Sequence, residues 1–251
     1  MKNNGKRLLL AIDVGNSTLA YGVYSGISLK SSGYIPSNDI PKIDLIFNKS
    51  GALKHIKSVI ISSVVPIFTQ KLLKLMHRQL PKASVYVVGQ NVRPDVPMRY
   101  KRRMLGADRL VNVYGALRFY DPPILVIDYG TAITFDYVSK SGIFEGGLIV
   151  PGVETSAKAL QYRAVLLPKF GKLKSVPSLI GKDTKSAMHS GLLNGFGALS
   201  DGLIERFKKR YESKLKVLAT GGFASKIAPY VRSFDHVDPF HTLRSLALIY
   251  Q

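Results

Sequence analysis

The sequence predicts an α/β protein in which one strand–turn–strand unit occurs twice. The first observation is an apolar run that ends in an aspartate, a glycine and a hydroxyl, at residues 8–17 and again at 124–131. The second is an alternating run directly after each copy, at 18–24 and 131–138, as expected of a half-buried strand. Later segments alternate between strand-like and helix-like patterns. We therefore expect paired antiparallel hairpins followed by strand–helix units.

The patterns after the first hairpin predict four elements. They are a helix-like segment at 40–47, an apolar strand at 59–65, a helix at 68–80 and a short strand at 84–88. A proline-containing loop follows, and loops of this kind often carry binding residues. The next amphipathic helix extends to about Tyr120, with Asp108 as its cap or in its first turn.

The second half repeats the hairpin and then predicts more helix than strand. The expected elements are helices at 154–163, 184–211 and 241–250, and a strand at 216–219. The long helix is expected despite its four glycines, which we interpret as sites of close helix packing.

Length and composition place the chain among globular proteins. It has 251 residues, of which 46% are hydrophobic, and this suffices for one large domain or two smaller ones. The Asp121-Pro122-Pro123 break is the predicted boundary. It divides the chain into an N-terminal domain, 1–121, and a C-terminal domain, 122–251.

Absences in the composition predict the cellular context. Without cysteine the chain has no disulfide or thiolate chemistry, which fits a reducing cytosol. Its longest apolar runs are of strand length, far below the ~20 residues of a membrane span. The apolar segment after the basic N-terminus soon reaches Asp13, which argues against a secretory signal. We expect a cytoplasmic protein without a membrane partner.

The net charge of +20 predicts anionic partners such as nucleotides or acidic metabolites. The positive residues are spread along the chain, and the densest groups are Arg99 to Arg103 and Lys208 to Arg210. The second group is typical of a solvated helix face. Because no nucleic-acid-binding module or basic–aromatic platform is visible, nucleic acid is not an expected partner.

The two turns have the composition of anion-binding sites. Glycine lets backbone N–H groups approach a ligand, and successive N–H groups beside a hydroxyl form an anion-binding concavity. An aspartate at the strand end would repel an anion but suits a bridging cation such as Mg²⁺. Ordinary hairpin turns would have similar residues. Two copies, each after an apolar strand, favour turns that hold the phosphates of one nucleotide from both sides.

Three motifs carry a resemblance to a known family. Asp13-Val14-Gly15-Asn16-Ser17 resembles the Asp-x-Gly-Asn-Thr phosphate loop of the acetate kinase, sugar kinase, Hsp70 and actin fold. Gly106-Ala107-Asp108-Arg109 resembles the Gly-x-Asp-Arg motif of type III pantothenate kinases, also called the Bvg accessory factor family. Asp128-Tyr129-Gly130-Thr131-Ala132 is similar to the second phosphate loop of that family. The resemblance covers nearly all of the chain from Leu8 onward.

This resemblance implies a fold and a reaction. The fold is a pair of duplicated ribonuclease H-like domains of the actin-like ATPase type, with the active site in the cleft between them. The reaction is ATP-dependent phosphorylation of pantothenate to 4'-phosphopantothenate, the first step of coenzyme A biosynthesis. Family members are homodimers that use Mg²⁺ with ATP and a monovalent cation, K⁺ or NH₄⁺.

The resemblance also implies roles for individual residues. Asp108 is the catalytic base, Asp128 binds the monovalent cation, and Asp13 lies near Mg²⁺ with water between them. The implied ATP-binding residues are Asp13, Val14, Gly15, Asn16, Ser17, Thr18, Leu19, Ala20, Gly130, Thr131, Gly221 and Gly222, and Thr220-Gly221-Gly222 would lie near adenosine. The implied pantothenate-binding residues are Tyr100, Gly106, Ala107, Asp108, Arg109 and Thr184, with Thr184 reaching in from the partner subunit.

Several of these residues have structural alternatives. Asp108 could be a helix cap, Arg109 a surface ion-pair partner, Tyr100 a packed loop aromatic and Thr184 a helix N-cap. The segment from Tyr100 to Gly106 is one residue shorter than in the family and lacks its Asn-Pro pair, which leaves the register of Tyr100 open. Ser17 replaces the usual threonine and keeps the hydroxyl.

Two other functions stay open at the level of sequence. One is a non-catalytic relative that acts as a regulatory or nucleic-acid-associated factor. The other is a sugar- or acetate-type kinase on the same fold. Retention of the three aspartates, Arg109 and Thr131 favours a working kinase, and Gly-x-Asp-Arg favours pantothenate as the acceptor.

Overall fold

A computed structural model describes residues 8–39, 55–164, 167–168, 171 and 178–251. The helix-like segment predicted at 40–47 lies outside the described residues. The strands are β1 (Leu8–Val14), β2 (Thr18–Ser25), β3 (Ser28–Pro36), β4 (Ile56–Ser63), β5 (Ser84–Val87), β6 (Ile124–Tyr129), β7 (Ala132–Val138), β8 (Phe144–Pro151), β9 (Lys216–Thr220) and β10 (His236–Val237). The helices are α1 (Pro66–Gln79), α2 (Ala107–Phe119), α3 (Val153–Arg163), α4 (Thr184–Arg210), α5 (Ala224–Ile227) and α6 (His241–Tyr250).

Most predicted elements are present with small shifts at their ends. Helix α1 begins at Pro66, two residues before the predicted start, because proline has a helix-compatible φ and its missing N–H needs no partner in the first turn. The final helix has the predicted bounds. Strand β10 and helix α5 were not predicted, since two and four residues are too short to show a periodicity.

The chain divides into two compact units by its internal contacts. Unit 1 comprises Met1–Val96, Lys101–Phe119 and Phe240–Gln251, and unit 2 comprises Pro97–Tyr100 and Tyr120–Pro239. Helix α6 therefore belongs to unit 1 by its contacts, although it follows the predicted boundary between residues 121 and 122.

Each unit is built on a five-stranded sheet, and the two sheets share one topology. The strand order is β3-β2-β1-β4-β5 in unit 1 and β8-β7-β6-β9-β10 in unit 2. In both sheets three strands form an antiparallel meander, and the two remaining strands are added in parallel to the first strand. The predicted duplication of the strand–turn–strand unit is confirmed, and it extends to the whole sheet.

The apolar faces of the strands form one core per unit. In unit 1, alternate residues of β1 and β4 pack with Leu72, Leu75 and Met76 of α1. In unit 2, alternate residues of β6 and β9 pack with Leu193 and Ile204 of α4. Burial of these side chains is the main stabilising contribution to each unit.

The opposite face of the unit 1 sheet carries α6, and α2 packs on α6. The Ser58 hydroxyl of β4 shares a hydrogen bond of 2.7 Å with the Tyr250 hydroxyl. The buried Asn112 of α2 accepts a hydrogen bond from the Thr242 hydroxyl at 2.8 Å through its side-chain oxygen, and its backbone oxygen lies 2.9 Å from His241 Nε2. These contacts fix α2, whose first turn carries Asp108 and Arg109.

None of the described helices combines the length and the apolar character that crossing a membrane requires.

Candidate active site

The first predicted phosphate turn connects β1 and β2. The Gly15 N–H donates to the Thr18 carbonyl oxygen over 3.0 Å, which closes a loop of three residues. Ser37 holds this loop from outside, because its hydroxyl donates to Gly15 O over 2.7 Å and its N–H donates to Ser17 O over 3.1 Å. Asn16 and Ser17 are exposed. The turn therefore presents polar groups from a fixed backbone.

Two of the implied ATP-binding residues have their side chains in the core. Val14 is 1% exposed and Leu19 is 0% exposed, and the two are paired across β1 and β2. Only their backbone groups can face a ligand. Asp13 and Ala20 form the next pair and are half-buried, so the acid lies near the carboxyl end of β1, beside the turn.

The second predicted turn connects β6 and β7 and is one residue shorter. The Gly130 N–H donates to Ala132 O over 3.1 Å. The start of α3 anchors the turn, because the Gly152 N–H and the Thr155 hydroxyl both donate to Thr131 O, over 3.0 and 2.7 Å. Gly130 and Thr131 are exposed and form the polar end of this hairpin.

Gly221 brings a third segment to the second turn. It follows β9 with φ of +90°, and a Cβ there would overlap the Asp128 carboxylate and would lie 2.7 and 2.8 Å from Tyr129 N and O. Only glycine fits this position. Two residues further on, the Phe223 N–H donates to Tyr129 O over 3.2 Å. Asp128, the turn and Gly221 therefore lie together at one end of the unit 2 sheet, and Gly222 is exposed beside them.

The Gly-x-Asp-Arg motif forms the start of α2. The helix begins at Ala107, and Asp108 is the acid of its first turn, where a negative charge is stabilised by the helix dipole. The Asp108 carboxylate accepts a hydrogen bond from the Arg109 N–H at 2.8 Å. Gly106 leaves room for this conformation, because a Cβ there would lie 2.5 Å from Asp108 Oδ1.

The environment of Asp108 changes its acidity. Burial raises the pKa of its carboxyl above the ordinary value, and the N–H and the guanidinium of Arg109 oppose this shift only in part. Desolvation disfavours the charged form. A carboxylate with a raised pKa is a better proton acceptor near neutral pH, which is the property that a catalytic base needs.

Val64 connects the motif to the first turn within unit 1. Its N–H donates to Val14 O over 3.2 Å, and a Cβ on Gly106 would lie 3.6 Å from its side chain. The start of α2 is therefore a neighbour of the residue that ends β1. Arg109, next to the acid, is only 7% exposed, so it is not the surface ion-pair residue of the structural alternative.

The structure places Tyr100 away from the second turn. Its ring packs on Phe144, with centroids 5.6 Å apart, and lies 3.4 Å from the Cβ position of Gly146. Both contacts are at the start of β8, whereas Pro151 at the end of β8 pairs with Ala132 beside the turn. Pro151 lies five positions after Gly146 along the strand, a distance of about 16 Å.

Thr184 is exposed at the start of α4. The N-cap of this helix is Asp183, whose carboxylate accepts a hydrogen bond from the Ser186 N–H at 2.9 Å. Thr184 is thus not the cap, and its hydroxyl is available for another role.

Two further hydroxyls were not predicted from the sequence to lie beside the aspartates of the turns, although Thr220 was expected near adenosine. Ser62 on β4 and Thr220 on β9 are fully buried, and each is in register with the aspartate of one turn. Their burial results from tertiary packing, so no local pattern marks them.

The aspartates of the two turns fit hard cations that also keep water and phosphate oxygens as ligands. Among the residues that the structure describes, no group of three or more His, Cys, Asp or Glu side chains could hold a metal ion. Each turn instead offers one aspartate. Mg²⁺ is commonly bound by one or two carboxylates together with water and substrate phosphates, so Asp13 and Asp128 fit cations that accompany a nucleotide.

Comparison with solved structures shows the fold. The chain matches a Baf family protein from Campylobacter jejuni with a TM-score of 0.57 and 21% identity, over 96% of each chain. It also matches a candidate 2-dehydro-3-deoxygalactonokinase from Sinorhizobium meliloti with a TM-score of 0.60 and 10% identity, over 96% of this chain and 95% of that one. The predicted fold of duplicated α/β domains of the actin-like ATPase and sugar kinase type is confirmed.

Comparison of sequences shows the family. The family model for type III pantothenate kinase matches residues 9–206. A type III pantothenate kinase from Citrifermentans bemidjiense is 40% identical over 97% of this chain and 99% of its own length. The chain belongs to the type III pantothenate kinase family.

Proposed function

We propose that this protein transfers the γ-phosphoryl group of ATP to the primary hydroxyl of pantothenate, the first step toward coenzyme A. The observation that carries the proposal is the Gly-x-Asp-Arg motif at the start of α2, next to the first phosphate turn, in a chain of this family. Family membership supports a kinase that uses ATP and pantothenate. Neither the family nor the retained acidic residues favour a regulatory, non-catalytic role.

Asp108 is the proposed catalytic base. Its half-buried carboxylate, held by the Arg109 N–H at 2.8 Å, would accept the proton of the pantothenate hydroxyl as the phosphoryl group is transferred. Proton transfer by a positioned side chain is worth roughly 10²–10⁴-fold in rate. The Arg109 guanidinium would pair with an oxygen anion of the substrate or the transition state, and Gly106 and Ala107 would shape the approach to the acceptor.

The turns are proposed to hold ATP mainly through backbone groups. Phosphoryl transfer depends on positioning and on neutralising charge, and the backbone of the exposed turn residues suits that task. The hydroxyls of Ser17, Thr18 and Thr131 are exposed and could add hydrogen bonds to phosphate oxygens. Gly221 and Gly222 would lie near adenosine, where Gly222 has no neighbour within 4 Å of its Cβ position among the described residues.

The proposed cations are Mg²⁺ near Asp13 and K⁺ or NH₄⁺ at Asp128. Bound cations would neutralise the negative charge of the phosphates. The single aspartate of each turn fits this use, because phosphate oxygens and water would supply further ligands.

A homodimer in the cytoplasm is proposed from the resemblance, with Thr184 contributing to the partner's pantothenate site. Unit 2 carries several exposed apolar side chains, which often mark protein interfaces. They are Leu148, Ile149, Leu160, Tyr162, Leu179 and Ile180. Sedimentation equilibrium would test the assembly, and a monomer at micromolar concentration would refute it.

The experiment that tests the function measures ADP release with and without pantothenate, in K⁺ and in choline buffers. We expect release that depends on pantothenate in the wild type and a loss of about 10²–10⁴-fold in Asp108→Asn. The exposed Asp121 supplies the matched control, since Asp121→Asn should leave turnover unchanged. Near-normal turnover in Asp108→Asn would remove the base assignment, and release that ignores pantothenate would refute the proposed function.

A further inference from the structure

Two buried aliphatic hydroxyls lack a hydrogen-bond partner among the described residues, Thr220 Oγ1 and Ser62 Oγ. Both residues are 0% exposed. Buried side-chain hydroxyls in folded proteins are nearly always hydrogen-bonded, because water would otherwise solvate them. Such a group therefore requires an explanation, and an unfilled ligand position is one.

The two hydroxyls occupy equivalent positions in the duplicated sheets. Thr220 ends β9 and is in parallel register with Asp128 of β6. Ser62 lies on β4 in parallel register with Asp13 of β1. Strands β9 and β4 have the same place in the two sheet orders. Within the described ranges, a buried aliphatic hydroxyl without a hydrogen-bond partner therefore occurs once in each sheet, each time on the strand beside the aspartate of a phosphate turn.

Register places the Thr220 and Asp128 side chains on the same face of the sheet. Residues paired across parallel strands point to one side, and neighbouring strands are about 4.8 Å apart. The core of unit 2 takes the alternate residues Ile127 and Ala219, so Thr220 and Asp128 face away from that core. Gly221 brings the chain directly past the Asp128 carboxylate. The hydroxyl and the carboxylate are therefore oxygen donors on one face of neighbouring strands.

We propose that Thr220 Oγ1 is a direct ligand of the monovalent cation that Asp128 binds. A hydroxyl has two lone pairs and no charge, so with one carboxylate it offers oxygen donors whose total charge balances a single positive charge. The carboxylate of the half-buried Asp128 is the donor that solvent can reach. The hydroxyl of the fully buried Thr220 is the second donor. This inference rests on the proposed function in one respect: the proposed function places a monovalent cation at Asp128, beside the second phosphate turn.

The test compares Thr220→Val, which keeps the shape and removes the hydroxyl, with Thr220→Ser, which keeps the hydroxyl. Melting temperature is followed in KCl titrations at constant ionic strength, with choline chloride as the replacement salt, with and without Mg·ADP. A ²⁰⁵Tl⁺ NMR titration reports binding of a K⁺ surrogate directly. Thr69→Val is the matched control, because Thr69 is a buried threonine whose hydroxyl is satisfied by Ser63 and Val65.

We expect the KCl concentration at half-maximal stabilisation to rise at least about 10-fold in Thr220→Val, the scale on which changes around a metal site lower affinity. Thr220→Ser and Thr69→Val should stay near the wild-type midpoint. In choline buffer Thr220→Val should be at least as stable as the wild type, because an unsatisfied hydroxyl has been removed.

Three outcomes would overturn the inference. They are a wild-type KCl midpoint in Thr220→Val, a wild type that does not respond to K⁺, and a Thr220→Val variant that loses Mg·ADP affinity equally at every K⁺ concentration. The last would mean that the hydroxyl donates to a phosphate oxygen instead. A wild type that binds K⁺ but does not phosphorylate pantothenate would refute the proposed function and leave the ligand assignment intact.

Discussion

At the scale of single residues, the site depends on which groups are accessible, which side chains are missing and which groups are buried. Val14 and Leu19 bury their side chains and leave only backbone groups for the proposed nucleotide. Gly106 and Gly221 lack side chains where an aspartate carboxylate needs the space. Asp108 gains a raised pKa from burial. The chemistry of the motif therefore comes from its surroundings as much as from its residue types.

The raised pKa of Asp108 predicts how its replacement affects stability. The folded state binds the proton more tightly than the unfolded state, so the ionised carboxyl lowers the stability of the folded state once the pH exceeds its unfolded pKa. Asp108→Asn cannot ionise, and its side-chain oxygen can still accept the Arg109 N–H. We expect its melting temperature at pH 7 to equal or exceed that of the wild type.

Melting curves of both proteins between pH 4 and pH 8 would check the direction of this difference in melting temperature. The difference should shrink as the pH falls and Asp108 becomes protonated in the wild type. A variant that is clearly less stable at pH 7 would mean that the carboxylate is favourable in the fold. Turnover should nevertheless be lost, which separates a catalytic role from a structural one.

Residue types could be predicted from the sequence, but burial could not. Asp13, Asp108 and Asp128 were found because they lie in local motifs next to glycine. Ser62 and Thr220 were assigned no contact with a cation, because only the pairing of β4 with β1 and of β9 with β6 brings them beside an aspartate. Strand pairing between residues far apart in sequence leaves no local periodicity.

At the scale of elements, the contact between α2 and α6 fixes the helix that carries Asp108. Gly115 of α2 faces Ser245 of α6, and a Cβ on Gly115 would overlap the Ser245 hydroxyl and lie 2.6 Å from its Cβ. Ser245 is fully buried and donates to His241 O over 2.7 Å. The Ser245 side chain therefore fills the space that faces Gly115 between the two helices.

Gly115→Ala should destabilise unit 1 by about 1–3 kcal/mol, the usual cost of overpacking. Ser245→Gly alone should cost about 1 kcal/mol, because glycine is unfavourable in a helix. The double variant should be more stable than the sum of the two costs predicts, since the missing serine makes room for the alanine. Urea denaturation of all four proteins measures the coupling, and strictly additive costs would contradict the packing.

The four glycines of α4 do not share one role, which corrects the expectation that they all permit close packing. A Cβ on Gly197 would overlap the Tyr230 carbonyl oxygen and lie 2.8 Å from its Cβ, whereas Gly191, Gly195 and Gly202 have no neighbour within 4 Å in the described part of the chain. A helical pattern shows that a glycine is present but not what faces it.

Gly195→Ala is therefore expected to stabilise the protein by about 0.4–1 kcal/mol, because alanine lowers the entropy of the unfolded chain. Gly197→Ala is expected to destabilise it by about 1–3 kcal/mol through overpacking. The pair forms its own control, since both changes lie on one helix two residues apart. Equal effects in chemical denaturation would show that helix propensity alone decides the result.

At the scale of the whole molecule, the duplication was predictable and the assignment of the last helix was not. The repeated apolar run, aspartate and glycine predicted the two hairpins around which the sheets are built. Helix α6 follows the second sheet in sequence but packs in unit 1, through Tyr250 on Ser58 of the sheet and Thr242 on Asn112 of α2. Amphipathic spacing indicates that a helix has a buried face and does not indicate which sheet covers it.

The net charge of +20 predicts that added salt will stabilise the protein. Like charges repel in the compact state, and the screening length falls from about 30 Å at 0.01 M to about 8 Å at 0.15 M ionic strength. We expect the melting temperature to rise over this range in choline chloride, which avoids binding at a K⁺ site. Lys71 and Lys74 are exposed on α1. Changing both to glutamate should reduce the rise, because each change replaces a positive charge with a negative one. A melting temperature that is flat or falls with salt would show that the excess charge is already neutralised within the fold.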